Sequence, residues 1–351
     1  MSRHFDYSVY DTAFLVQVVP NLMVAQNWLL NNFFPNIVLS DTESVAIDVE
    51  IGKRRMSPFC SPKAQGKTVE ARPYQTNTFK PPYIKDKRIP DINRPVRRMI
   101  GERIGGGDYT PAQRWALNLQ YEMADQIDML NRRLEWVAAQ ALQYGKVTVS
   151  GEGFNTTEID FQRDDELTIA LTEENNWLSM PSQTTPTDNL EEWATMMLKK
   201  TGATPTEVIF TPSAWDAFMM DARIQSNAMN MPLLNPFTNV VNPGTQVVTG
   251  AVYKGRWGNF SLWLYNDWFI DPDDDVEKPM LEDGSVILTG PALSGTRAFG
   301  CIIDPMFSYG PMAFAPKIWY ENDPAVNYLM MQSSPLVIPS RVNAAMCVKV
   351  V

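Results

Sequence analysis

The sequence predicts an α+β protein organised around one very long helix. Three observations carry this reading. Residues 111–144 form an amphipathic run that no Gly or Pro interrupts after its first position. Short alternating or apolar runs, of strand length, lie on both sides of it. A fifty-residue basic and proline-rich stretch precedes it, with too few periodic apolar residues to bury a core of its own.

Residues 13–34 (AFLVQVVPNLMVAQNWLLNNFF) are apolar but carry Gln17, Asn21, Gln26, Asn27, Asn31 and Asn32. A membrane span needs about 20 predominantly apolar residues. A signal peptide needs a basic start and small residues at a cleavage site. This run fits neither pattern. Pro20 suits the first position of a short helix, in which Leu22, Ala25, Leu29 and Phe33 share one face and which Pro35 stops. Val45, Ile47, Val49 and Ile51 then alternate within 37–52, the signature of a strand.

Residues 53–103 hold 14 of the 30 basic residues and only four acids, Glu70, Asp86, Asp91 and Glu102. The local balance is +10, against −20 for the remainder. Structureless connections longer than about 15 residues are unusual in compact domains and are normally functional. A projecting β-hairpin or arm is the expected structure. Gly105, Gly106 and Gly107 read as a hinge behind it, because glycine turns freely. A phosphate cradle would need a following Lys-Ser/Thr and a preceding hydrophobic strand, which this stretch lacks.

Thr110 and Gln113 form a capping box, Pro111 stands at the first helical position and Gly145 supplies the stop. The helix between them spans about 50 Å at 1.5 Å per residue. Trp115, Leu119, Met123, Ile127, Leu130, Leu134, Val137 and Ala141 make one apolar stripe. Arg114, Glu122, Asp125, Arg132 and Glu135 are expected largely off it. Strands follow at 146–150 and 157–161, then an acidic, polar stretch to residue 192. Asp188 and Glu191 predict a cap for a helix over 189–201 that Gly202 ends. Residues 207–211 read as a buried strand, Pro212 to Met220 as a helix and 222–245 as an Asn/Pro-rich loop. Strands are expected at 246–253, 260–265, 285–289, 297–303 and 344–351.

Composition narrows the function. The single histidine, His4, stands near a chain end, so a triad built on a fixed imidazole is excluded. Cys60, Cys301 and Cys347 are far apart, with no CxxC pair, which leaves no zinc site and suggests free thiols of a reducing compartment. No catalytic residue, metal ligand or cofactor-binding residue is assigned. The acids Asp271, Asp273, Asp274, Asp275 and Glu277 lack the spacing of a calcium loop and read as a solvated hairpin tip. A net charge of −10 argues against nucleic-acid binding by the chain as a whole. The ten tryptophans and 19 methionines lean toward an assembling subunit. Met219, Met220, Met229 and Met231 suit an adaptable binding surface and core or inter-subunit packing equally. The basic arm and acidic body are complementary halves of a self-interaction, which places Lys53, Arg54, Arg55, Lys85, Lys87, Arg88, Met229 and Met231 as candidate inter-subunit contacts.

The order of parts resembles the lambda-type major capsid proteins of tailed bacteriophages, which share the Hong Kong 97 (Johnson) fold. The local matches are VSGEGFNTTEIDFQR at 149–163, YKGRWGNFSLWLY at 253–265, GTRAFGCIID at 295–304, PKIW at 316–319 and QSSPLVIP at 332–339. Each is short; their order and spacing make the signal. The resemblance implies an N-terminal arm over 1–50, an extended loop over 51–104, and a peripheral domain over 105–186 with its spine helix at 111–144. It further implies an axial domain over 187–295 and a return to the peripheral domain over 296–351. It implies hexamers and pentamers of this chain in an icosahedral head around double-stranded DNA, assembled in the host cytoplasm. A portal, a separate scaffolding protein and a decoration protein are the implied partners, with no membrane. A nanocompartment shell of the encapsulin kind is the alternative, ahead of a soluble carboxylate-dependent enzyme.

Overall fold

The structure, a computed structural model, describes residues 27–50, 56–63, 65–66, 74–97, 109–151, 153–178, 185–224, 241–248, 250–323 and 325–351. It contains the α-helices α1 (Trp28–Phe33), α2 (Pro111–Tyr144), α3 (Pro186–Thr201) and α4 (Pro212–Met219). Helix α2 has the ends that the sequence specifies. Thr110 Oγ1 accepts from Gln113 N at 3.3 Å and Gln113 Oε1 accepts from Thr110 N at 2.8 Å, closing both halves of the capping box. Gly145 ends the helix at φ 67°. A Cβ there would lie 2.6 Å from Arg163 Cβ, so glycine is required twice over. The buried Arg163 guanidinium donates to Leu142 O at 2.6 Å and to Gln143 O, supplying the orphan carbonyls of the last turn.

The eight predicted stripe residues of α2 are all buried, and seven of them, all but Trp115, divide between two different cores. Leu134, Val137, Ala138, Ala141 and Leu142 belong to the main core, with α1, α3, α4 and the largest sheet. Leu119, Met123, Ile127 and Leu130 pack instead on Phe314, Ile318, Leu329 and Met331, one face of a long hairpin. At roughly 1.5–3 kcal/mol for each fully buried aliphatic side chain, both halves of the helix are strongly held.

The largest sheet has seven strands, in the order Thr168–Ala170, Met346–Lys349, Ser285–Thr289, Glu207–Phe210, Phe260–Tyr265, Ala251–Trp257, Val241–Val248. Its centre, Ser285–Thr289 and Val208 to Phe210, is buried throughout, which suits Val, Ile, Leu and Phe. A second sheet pairs Asn36–Leu39 in parallel with Thr296–Phe299, which pairs antiparallel with Pro335–Ile338. The third joins Ala315–Asn322, Ala325–Ser333 and Ile84–Arg88. Two-stranded pairs are Val45–Glu50 with Tyr74–Phe79, Lys146–Gly151 with Phe154–Asp160, and Trp268–Ile270 with Glu277–Pro279.

Several elements differ from expectation. The strand expected over 246–253 is two strands of a hairpin, Val241–Val248 and Ala251–Trp257, folding back next to Gly250 at φ 79°. The run 37–52 splits into Asn36–Leu39 and Val45–Glu50 around a bend at 41–44. Helix α3 starts earlier than 189, with Pro186 at its first position and Thr185 as the cap residue. Asp188 is held by Thr185 Oγ1 and Arg223. The hairpin Ala315–Asn322/Ala325–Ser333 was not expected as strands at all; it pairs from Ala315↔Gln332 to Asn322↔Ala325. The C-terminal strand Met346–Lys349 enters the seven-stranded sheet beside Ser285–Thr289. The helix expected from Pro20 is described only from Trp28 to Phe33; its earlier part lies outside the described residues.

Helix α1 is clasped at both ends. Glu135 accepts from Leu29 N and Leu30 N at its start. Arg297 donates to Phe34 O at 2.7 Å and Leu30 O at 3.1 Å at its end. Gly295 passes so close beneath it that a Cβ would stand 2.1 Å from Phe34 Cδ1 and 2.5 Å from Phe33 O. Gly295→Ala is therefore expected to lift α1 from its seat and to lower stability by about 1–3 kcal/mol, the usual cost of overpacking. Gly66→Ala, with nothing within 4 Å of the added atom, should be silent. Thermal unfolding, with limited proteolysis around residues 27–40, checks both.

Candidate assembly surface

Residues 45–50 and 74–79 form an antiparallel ribbon, from Val45↔Phe79 at its base to Glu50↔Tyr74. Five residue steps carry the chain about 17 Å outward. Beyond them Met56 is 90% and Phe59 104% exposed, as bare as side chains become. Large apolar groups held in water on a projection do nothing for the fold of the chain that bears them.

The returning limb is tied firmly to the body. Ile84–Arg88 pairs with Ala325–Ser333, from Ile84↔Ser333 to Arg88↔Leu329. Tyr83 Oη donates to Gln332 Oε1 at 2.8 Å and accepts from Ile303 N at 3.2 Å. Asp304 Oδ2 takes Lys317 Nζ at 2.6 Å and Gln332 Nε2 at 3.1 Å. The Lys317 ammonium holds the Asp304 carboxyl down at about 2.

The candidate contact residues divide. Arg88 reaches Asp125 at 2.6 Å and Glu122 at 3.1 Å on α2 and Asp86 of its own strand at 3.5 Å, so the carboxylates that face it belong to its own chain. Lys87 Nζ stands 4.0 Å from the centre of the Tyr328 ring, which stacks on Trp319. Lys85 lies 5.2 Å over Tyr83. Both lysines are exposed, and such cation–π contacts contribute about 0.5–1 kcal/mol. Lys53, Arg54, Arg55, Met229, Met231 and the hinge glycines Gly105, Gly106 and Gly107 lie outside the described residues.

A second exposed feature is the strand Asn36–Leu39, at the open edge of its sheet, with all four residues exposed. The acidic run at 271–277 is the turn of a hairpin, as its composition suggests; Lys278 Nζ reaches Asp271 Oδ2 at 2.6 Å and Asp274 Oδ2 at 2.8 Å. Among the described residues no group of three His, Cys, Asp or Glu side chains is placed to hold a metal ion. No described helix is long and apolar enough to cross a membrane.

The sequence reading missed Glu135, which was expected on the polar side of α2. It is 1% exposed and receives Leu29 N at 2.8 Å, Leu30 N at 3.0 Å and Tyr265 Oη at 3.0 Å. One carboxylate thus joins α1, α2 and the seven-stranded sheet. Burial pushes it up to about 7, against the pull of those three donors. A signal was present, since Glu135 sits beside Leu134 at the margin of the stripe, but periodicity alone does not reveal a buried charge.

A long strut helix, a separate projecting ribbon and an exposed edge strand define a shell-building subunit. The comparisons agree. The sequence matches the phage major capsid protein E family over residues 11–350, and the chain belongs to that family. It is 28% identical to the major capsid protein of Escherichia phage N15 and 26% identical to that of Escherichia phage lambda, in each case over 94% of this chain and 96% of the relative. The crystal structure of a prophage capsid protein from E. coli CFT073 superposes with a TM-score of 0.73 at 21% identity, over 97% of this chain and 99% of that one. The fold is the Hong Kong 97 type, and the chain is a major capsid protein of the tailed-phage kind.

Two predictions follow from the charges. Glu135 is raised in the folded state relative to its ordinary value. Its contribution is full at acid pH and is lost as pH rises through about 7, so stability should decline across that window. Glu135→Gln should flatten the decline, and Glu135→Ala should cost about 2–4 kcal/mol by stranding three buried donors. Thermal unfolding at several pH values reads both; a stability that rises through neutral pH contradicts the assignment. Separately, Arg88→Ala should lower the stability of the subunit by about 1–3 kcal/mol, because it breaks charged hydrogen bonds within the chain. Lys85→Ala and Lys87→Ala should each cost under about 1 kcal/mol. Denaturant titration of the three variants distinguishes them.

Proposed function

We propose that this capsid protein assembles with copies of itself, as hexamers and pentamers, into an icosahedral head that encloses double-stranded DNA. The observation that carries the reading is the ribbon with Met56 and Phe59 bare at its end, a device without use in a single chain. Residues 51–104 serve as the extended loop over a neighbouring subunit and 1–50 as the N-terminal arm. The peripheral domain comprises 105–186 with 296–351, hinged to the loop at Gly105–Gly107. The axial domain, 187–295, meets the local symmetry axes, with Met229 and Met231 at its loops. Lys53, Arg54, Arg55, Lys85 and Lys87 face acidic neighbours, and Arg88 supports them from within its own chain.

A separate scaffolding protein directs assembly in the host cytoplasm, a portal occupies one vertex and a decoration protein binds outside. The DNA is enclosed without sequence-specific contacts, which suits a body of net negative charge. The role is structural and non-enzymatic. Similar proteins named major capsid protein in phages N15 and lambda support this reading. Coexpression with the scaffolding protein of the same phage should yield hollow shells on density gradients and in negative-stain micrographs. A chain that stays a small particle at high concentration under those conditions contradicts it.

A further inference from the structure

An apolar cavity of about 360 Å³ lies at the root of the ribbon, lined chiefly by Pro82, Tyr83, Val149, Ile159 and Ile303. It is large enough for a bulky side chain and is walled mostly by carbon. We infer that this cavity is a socket for Phe59 from a second copy of the chain. The inference rests on the reading of the chain as a self-assembling subunit and names one contact that would hold it.

Three observations select that occupant. The first is supply: Phe59 and Met56 are the barest large apolar groups among the described residues, and both lie at the tip of the ribbon. The second is reach. Glu43 and Lys80 stand on the socket rim, directly below the first pair of the ribbon, Val45↔Phe79. The five residue steps to Glu50 lead about 17 Å from Val45, and Phe59 is fully exposed, so its ring does not fill its own chain's socket. Another copy's tip meets no such restriction.

The third is charge. Lys53, Arg54, Arg55 and Lys63 flank Phe59 in the sequence. The segments around the socket carry Asp41, Glu43, Glu158 and Asp160, all exposed, against Lys80 and Lys146. Lys80 pairs with Glu43 at 2.6 Å and Lys146 with Glu158 at 3.1 Å. Asp41 and Asp160, which lie on these segments but do not line the socket itself, are left over for an arriving basic tip. Aromatic anchors in an apolar pocket with a polar, charged rim are the common form of an interface hot spot.

The chain carries its own probe of the contact. Cys60 follows Phe59 and is exposed, Cys301 lines the socket, and the third cysteine, Cys347, is buried. Purified wild-type shells treated with a short bismaleimide should give chains linked as dimers and higher multimers on a denaturing gel. The links should disappear in Cys60→Ser and in Cys301→Ser shells. Phe59→Ala removes a fully exposed ring and Ile303→Asp places a charge in the half-exposed mouth of the socket, so neither should alter the unfolding of the isolated subunit. Both should make shells come apart at a lower guanidinium concentration. Shells that form but show no link through Cys60 and Cys301, or Phe59→Ala shells as resistant as wild type, overturn the socket and leave the capsid reading intact. If wild-type chains with their scaffolding protein form no shell, the socket and the capsid reading fall together.

Discussion

The structure depends on one constraint: α2 must bury its stripe along its whole length, and no single core of this chain is that long. The helix resolves the problem with two cores. Its C-terminal half closes the main core, and its N-terminal half lies under the hairpin Ala315–Asn322/Ala325–Ser333. The root of the ribbon, Val45 and Phe79, packs in the main core, and the N-terminal half of the strut holds the returning limb through Ile84 and Arg88.

The polar contacts reinforce the same design. Glu135 ties α1 and Tyr265 to the C-terminal half of the strut. Arg88 ties the returning limb of the ribbon to the N-terminal half through Glu122 and Asp125. Charges at the two ends of the helix are therefore spent inside the chain, while Lys85, Lys87 and the tip remain on the surface. A shell subunit needs this division. Rigid parts fix geometry, and the exposed parts supply many weak contacts whose sum, repeated around a closed lattice, holds the shell.

Much of this was legible in the sequence where a local rule acts alone. The capping box at Thr110, Pro111 at the start and Gly145 at the end fixed α2 to the residue. Of the stretch rich in lysine and arginine, 53–103, Tyr74–Phe79 lies in the ribbon and Ile84–Arg88 in a sheet of the body. The rest was hidden where tertiary context overrides local pattern. Val241–Val248 contains Asn242, Pro243 and Gly244, poor strand formers that an edge position tolerates. In Ala315–Asn322 the residues Pro316, Lys317 and Glu321 mask an alternation that becomes clear only once Ile318 is seen against α2. Arg88 and Glu135 show the same limit for charges. A basic stretch indicates where positive charge lies, but only the folded chain shows which cation is already neutralised at home.

The central claim is that the ribbon serves assembly and not the fold. The most direct measurement replaces residues 51–73 by a short turn and compares this chain with wild type by analytical ultracentrifugation, each coexpressed with the scaffolding protein. The account predicts a shortened chain with unchanged circular dichroism and unfolding temperature that sediments as small species only, beside wild-type shells. Shortened chains that form shells of normal size and salt tolerance, or that fail to fold, would contradict it.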